Sequence, residues 1–155
     1  MKLLSQILSP ENVVLDIPVT SKKRALEQVS LLFENHQGLE RASVFDSLFA
    51  RERLGSTGLG HGVAVPHGRV KNIDRPSAAF ARLAQPVAFD SPDGQPVDLI
   101  LVLIVPEAAT QQHLDILAEV AQRLSESSIL DQLRRETDAM RIYELLTATS
   151  ALASK

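Results

Sequence analysis

The sequence predicts an α/β fold in which a single mixed β-sheet carries helices on both faces. Three observations support this prediction. Amphipathic helical patterns occupy both ends of the chain, β-rich segments occupy its middle, and one of these, Leu99 to Val105, is apolar without interruption. Such a run is typical of a strand buried on both faces, which requires helices above and below it.

Each element follows from its local pattern. "NVVLDI" predicts an early strand over residues 12–17, and apolar side chains at helical spacing predict helices over 22–36 and 41–54, each followed by a glycine. "GVAVPH" predicts a strand that ends at His67, because Pro66 interrupts it. Further strands are expected over 77–84 and up to Pro106, followed by helices over 111–127, 127–136 and 137–148.

Composition limits the class of protein. The chain has 155 residues, which fits one domain over residues 1–155, and its net charge of −3 without a long basic run argues against nucleic-acid binding. It contains no cysteine, which excludes disulfides and thiolate metal sites and fits a cytoplasmic protein. The longest apolar run has seven residues, so we expect a soluble protein without membrane insertion.

The stretch from Gly55 to Val70 contains five glycines and two of the four histidines. Pro66 gives His67 a rigid support, and an imidazole can act as a base, a metal ligand or a nucleophile. Glycines let backbone N–H groups approach an anion, and Ser56, Thr57 and Arg51 add hydroxyl donors and positive charge. The pattern suits a phosphoryl group on His67, although such a stretch is also typical of a plain loop.

The other histidines of the chain allow further interpretations. His113 is expected in the first turn of a helix that follows the central strand, where sites of open α/β sheets gather. His61, His67 and His113 together would allow a zinc site, but "HExxH" is absent, and so are the phosphate-binding "GK[ST]" and the dinucleotide fingerprint. We assign no role to His36 or His61.

Three separated segments resemble the IIA domains of the bacterial sugar phosphotransferase system, in the fructose/mannitol class. They are "RERLGSTGLGHGVAVPHGRV", "PVAFDSPDGQPVDLILVLIVP" and "HLDILAEVAQRL". The resemblance covers nearly the whole chain, and the wording "LGSTGLGHGVAVPHGR" is most similar to the nitrogen-regulatory branch. It implies the mannitol-type IIA fold and a single type-2 IIA domain over residues 1–155.

The resemblance also implies roles for individual residues. His67 would be the phosphorylated nucleophile, through Nε2, and His113 would contact the phosphoryl group or orient the ring. Arg51 would pair with phosphoryl charge, and Thr57, with Ser56 in support, would donate to phosphoryl oxygens. The scheme requires no metal and no other cofactor.

The implied partners are proteins. A histidine phosphocarrier protein would donate the phosphoryl group, and regulatory targets such as sensor kinases or potassium-transport proteins would respond to the phosphorylation state. The resemblance thus implies a phosphoryl carrier in signal transduction and potassium homeostasis rather than an enzyme for a small molecule. The alternative is a sugar-specific IIA component that passes the phosphoryl group to a fructose- or mannitol-type IIB partner.

Overall fold

The chain folds as a mixed sheet with helices on both faces, which confirms the predicted fold class. The computed structural model describes residues 2–108 and 111–148, apart from the side chains of residues 2 and 111–114. The helices of the described residues are α1 (Lys2–Ser5), α2 (Lys22–Gln37), α3 (Arg41–Leu54), α4 (Gln111–Arg123), α5 (Ser127–Arg135) and α6 (Ala139–Thr147). Their strands are β1 (Leu8–Ile17), β2 (Gly58–Gly60), β3 (Val63–Ala64), β4 (His67–Val70), β5 (Ser77–Val87) and β6 (Val97–Pro106).

Strand β6 lies at the centre of the sheet. The strand order is β1-β5-β6-β3-β2, and β4 pairs with β6 further along the edge that β3 occupies. β5 runs antiparallel to β6, whereas β3 and β4 both run parallel to it, with Val63 opposite Leu99 and His67 opposite Leu103. The segment that carries His67 therefore follows one edge of the central strand.

The side chains of β6 alternate between two hydrophobic cores. Leu101 and Leu103 face the core that contains side chains of α1, α4, α5 and α6. Val102 and Ile104 face the core that contains side chains of α2 and α3. This alternation confirms that the uninterrupted apolar run is a strand buried on both faces.

The boundaries of α2 show why the sequence predicted them well. Ser21 caps the helix, because its Oγ accepts a hydrogen bond from the Arg24 backbone N–H at 3.2 Å. Gly38 ends it with φ of +68°, in the left-handed region that glycine adopts at little cost. Within the part of the chain that the structure describes, no helix is long and apolar enough to cross a membrane.

The strand boundaries differ from the predictions in the segment that carries the histidine. His67 begins β4 and does not end a strand. The extended segment is interrupted at Val65–Pro66 and pairs with β6 again from His67 onward. Pro66 lacks an N–H, and the N–H of Val65 bonds to the Thr57 carbonyl at 3.0 Å. In addition, β1 begins at Leu8, four residues earlier than expected.

Candidate functional site

His67 lies at the edge of the sheet, beside the last turn of helix α3. It opens onto a depression of about 600 Å³ whose lining is mostly apolar. Helix α3 contributes Ala50 and Leu54, strand β6 contributes Leu103 and Val105, and helix α4 contributes Leu117. Leu54 lies at the rim of this depression and is 85% exposed.

The hydrogen bonds of the His67 ring define its tautomer. Nδ1 lies 3.0 Å from the Val65 carbonyl oxygen, and Nε2 lies 3.2 Å from Nε of Arg51. A guanidinium can only donate, so Nε2 accepts that bond. The proton therefore resides on Nδ1, which donates it to Val65, and the lone pair of a neutral imidazole resides on Nε2.

Burial lowers the pKa of the His67 imidazole below its ordinary value, because desolvation disfavours the charged ring. The positive charge of Arg51 lowers this pKa further, while the Val65 carbonyl and the Glu52 carboxylate oppose the decrease. The balance keeps the ring uncharged at neutral pH. An uncharged ring is what a nucleophilic nitrogen requires.

Arg51 is held by two contacts of its guanidinium. Nε donates to His67 Nε2, and Nη1 donates to the Gly55 carbonyl oxygen at 2.8 Å. Both contacts follow from its place in the last turn of α3, one turn before the chain leaves the helix. A guanidinium in this position can bind an oxyanion attached to Nε2 through charge-assisted hydrogen bonds.

Thr57 makes contacts that the sequence analysis did not anticipate. Its backbone N–H donates to Glu52 Oε1 at 3.1 Å, and its hydroxyl donates to the same oxygen. The other carboxylate oxygen of Glu52 lies 3.1 Å from Lys22 Nζ. The hydroxyl proton of Thr57 is therefore engaged with Glu52, and a bond from Thr57 to a phosphoryl oxygen would require this contact to break.

Ser56 stabilises the loop that precedes β2. Its Oγ donates to the Phe89 carbonyl oxygen at 2.5 Å and accepts from the Gly58 backbone N–H at 3.0 Å. Both contacts join parts of the backbone to each other. In this structure Ser56 thus fixes the shape of the loop.

Two glycines of the predicted site have packing reasons. A Cβ on Gly68 would lie 2.2 Å from Ser47 Oγ, so only glycine lets α3 approach β4 this closely. Gly62 has φ of +79°, and a Cβ there would meet the Arg134 guanidinium at 2.4 Å. These glycines position the helix and the loop around His67.

His113 and His61 are the other two histidines considered for a site, and the described part of the structure shows neither in contact with His67. His113 belongs to α4, in the turn that the sequence predicted, but its side chain lies outside the described residues, so its contact with His67 stays a prediction. His61 is exposed, and its backbone N–H donates to Asp93 Oδ2 at 2.9 Å. Among the described residues, no group of three or more histidine, cysteine or acidic side chains is arranged to hold a metal ion.

Glu52, Lys22 and Val65 are the residues that sequence reasoning missed. Glu52 belongs to the first of the motifs quoted above. Helical spacing places its carboxylate beside the buried Leu48, and this is the signal from which its burial could be predicted. Lys22 stands 30 positions earlier, with nothing in the sequence to join the two. Val65 acts through its carbonyl oxygen, which every residue possesses.

Comparison with known proteins agrees with the fold. The family model described as "Phosphoenolpyruvate-dependent sugar phosphotransferase system, EIIA 2" matches residues 6–149, so the chain belongs to this family. Proteins of this family exchange phosphoryl groups with other proteins of the phosphotransferase system.

Individual relatives point to one branch of the family. The chain is 42% identical to the nitrogen regulatory protein of Pseudomonas aeruginosa over 144 residues, which cover 92% of this chain and 94% of the relative. The crystal structure of the nitrogen regulatory protein IIA-Ntr from Neisseria meningitidis is similar, with a TM-score of 0.89 and 47% identity over 94% of this chain and 100% of that chain. IIA mannitol from Escherichia coli shares the fold, with a TM-score of 0.76 and 22% identity over 89% and 97% of the two chains. The resemblance drawn from the sequence is thus confirmed.

Proposed function

We propose that the chain is a nitrogen-regulatory phosphocarrier that accepts a phosphoryl group on Nε2 of His67 from a histidine phosphocarrier protein. The observation that supports it most is the fixed tautomer, in which Nδ1 donates to Val65 and the lone pair on Nε2 meets Arg51 beside an open depression. The nitrogen-regulatory branch is favoured over a sugar-specific role because the relatives above 40% identity bear that name.

The transfer forms one P–N bond as another breaks. The lone pair of His67 Nε2 attacks phosphorus in line with the donor nitrogen, which takes back the electron pair of its own bond. Nδ1 keeps its proton throughout. The phosphorylated ring is more positive than the free ring, so its bond to the Val65 carbonyl becomes stronger as the product forms.

Arg51 has two successive roles in this scheme. Before transfer its Nε–H covers the lone pair of Nε2, so the guanidinium must move aside as the donor docks. Afterwards it is placed to bind the phosphoryl oxygens, whose charge it neutralises. Thr57 and Ser56 stay proposed supports of the phosphoryl group, and His113 stays a proposed neighbour, since Leu117, four positions later, lines the depression.

The depression supplies the docking surface for the donor protein. Its apolar rim, with Leu54 at 85% exposure, favours a protein partner and excludes water from the reacting atoms. Exclusion of water limits hydrolysis of the phosphohistidine while the two proteins are in contact.

Regulation would follow from the charge that the phosphoryl group brings. The phosphoryl group itself carries about −1.5 to −2 charges at neutral pH, which the positive ring partly offsets, and it lies on a mostly apolar surface. Target proteins in the cytoplasm, such as sensor kinases or potassium transporters, would then distinguish the two states of the same surface. We propose these targets because the sequence resembles the nitrogen-regulatory branch; the names of the relatives support a regulatory role but specify no target.

The test is phosphorylation with phosphoenolpyruvate and the two upstream proteins of the system. We expect one acid-labile phosphoryl group per chain, and none in His67→Ala. His61→Asn is the matched control, because His61 is an exposed histidine of the same loop and asparagine tolerates its φ of +58°. Undiminished label in His67→Ala would refute the assignment, and rapid transfer to a sugar-type IIB protein would refute the regulatory branch.

A further inference from the structure

Glu52 is a buried carboxylate next to the proposed phosphorylation site. Its side chain is 2% exposed, and a buried charge is tolerated only where partners satisfy it. Oε2 meets Lys22 Nζ at 3.1 Å, while Oε1 accepts two hydrogen bonds from Thr57. Both oxygens are thus engaged, and neither contact is with His67.

A short chain of hydrogen bonds leads from this carboxylate to the imidazole. Glu52 holds the backbone N–H and hydroxyl of Thr57, and the Thr57 carbonyl accepts from the Val65 N–H at 3.0 Å. The Val65 carbonyl accepts from His67 Nδ1 at 3.0 Å. Successive bonds involve different groups of the same residue, first of Thr57 and then of Val65, so each bond helps to position the residue that makes the next one.

The other nitrogen of the ring is reached from the same turn of α3. Arg51, which precedes Glu52 in the sequence, donates to His67 Nε2. The position of this turn relative to the loop therefore determines both contacts of the imidazole. Lys22, at the start of α2, anchors the turn from outside.

We propose that Glu52, fixed by Lys22, is a positioning residue for His67. It holds Thr57, and through Thr57 it orients the Val65 carbonyl that keeps the proton on Nδ1 and the lone pair on Nε2. Its effect on transfer rests on the proposed function. A purely structural ion pair would contribute to stability without influencing the tautomer.

Glu52→Gln tests the proposal, because the amide has the same shape as the carboxylate but only one acceptor atom. Its oxygen can accept from Thr57 or from Lys22, while its NH₂ group cannot accept from the other. Nitrogen-15 NMR of the labelled imidazole reports the tautomer in the unphosphorylated protein. We expect the wild type to be mainly Nδ1–H and the variant to be a mixture of tautomers. We also expect the rate of phosphoryl transfer to fall about tenfold, since misplacing a reacting group is costly.

Asp16→Asn is the control for loss of a carboxylate from an ion pair outside the site, with the Asp16 side chain itself 68% exposed. It removes a carboxylate from another ion pair with a buried cation, since Asp16 Oδ1 lies 3.2 Å from Nε of Arg82, which is 7% exposed. We expect His67 in this variant to keep the tautomer of the wild type, and the rate of phosphoryl transfer to stay within twofold of the wild-type rate. Lys22→Met is the second variant if Glu52→Gln does not fold, and we expect a change in the same direction as for Glu52→Gln.

Two results would overturn the proposal. One is a folded Glu52→Gln variant, or Lys22→Met in its place, with the tautomer and rate of the wild type. The other is an equal change in Asp16→Asn, which would indicate general loss of stability. Because the tautomer is read without any phosphoryl group, these results are distinct from a wild-type protein that accepts no phosphoryl group at all.

Discussion

Replacing Gly68 with alanine tests how closely α3 must lie against β4. The new Cβ would lie 2.2 Å from Ser47 Oγ and 3.1 Å from the Ser47 carbonyl carbon and oxygen, where ordinary contact begins at 3.4 Å. The hydroxyl can rotate away, but it then loses its bond to the Arg69 carbonyl oxygen, at 2.6 Å, which is worth about 1 kcal/mol. The backbone contact is relieved only if the helix shifts, and such overpacking costs about 1–3 kcal/mol.

Alanine also restricts the unfolded chain, which offsets about 0.4–1 kcal/mol of this loss. We therefore expect Gly68→Ala to lower the free energy of unfolding by about 1–3 kcal/mol in urea denaturation. Because Arg51 lies one turn after Ser47, phosphoryl transfer should slow as well. Adding Ser47→Ala removes the hydroxyl and should couple favourably with Gly68→Ala by about 1 kcal/mol in a double-mutant cycle. A single variant with wild-type stability and rate would refute this account of the glycine.

Three further outcomes follow from the site. Arg51→Gln should raise the pKa of His67, measured by NMR titration, because the positive charge of the arginine lowers that pKa. The same variant should slow phosphoryl transfer at least about tenfold, because it removes a cation that binds the phosphoryl oxygens. An unchanged titration of His67 would contradict this role of Arg51. Since the pKa of His67 is lower in the folded state, the unfolded chain binds a proton first as pH falls through about 6.5, so the free energy of unfolding should decrease below that pH. His67→Gln should reduce this decrease, measured by urea denaturation at several pH values, and an equal decrease in both proteins would argue against it. Leu54→Gln should change the free energy of unfolding by less than about 0.5 kcal/mol, because Leu54 is exposed. It should nevertheless raise the concentration of phosphocarrier protein needed for half-maximal transfer rate. The same concentration dependence as in the wild type would exclude Leu54 from the docking surface.

Patterns that depend on side-chain type could be predicted from the sequence. The buried strand β6 is visible as an apolar run, and α2 is visible from the helical spacing of its apolar residues and its terminal glycine. Arg51 and His67 stand 16 positions apart in one motif, and the structure joins them by a hydrogen bond, whereas the phosphoryl-binding roles of Ser56 and Thr57 stay predictions. These features are local, so a short window of sequence contains them.

Features that depend on backbone groups or distant pairs could not be predicted. The carbonyl of Val65 fixes the tautomer of His67, yet nothing about valine indicates this. The pairing of Lys22 with Glu52 joins residues on two helices whose packing only the fold determines. The pause in the strand at Val65–Pro66 has the same origin, because it depends on Thr57 as the partner of the Val65 N–H.

The segment that carries His67 also limits how a partner can bind. The carbonyl of Pro66 accepts from Leu103 in β6 and that of Val70 accepts from Glu107 just after β6, so alternation directs the carbonyls of Val65, His67 and Arg69 to the opposite edge. At that edge Nδ1 of His67 donates to the Val65 carbonyl, and the Ser47 hydroxyl donates to the Arg69 carbonyl. The His67 ring and the Ser47 side chain therefore cover part of this edge, which hinders the pairing of an added strand. We expect a phosphoryl donor to recognise the site by side-chain packing in the depression rather than by β-augmentation, because the lining of the depression is mostly apolar.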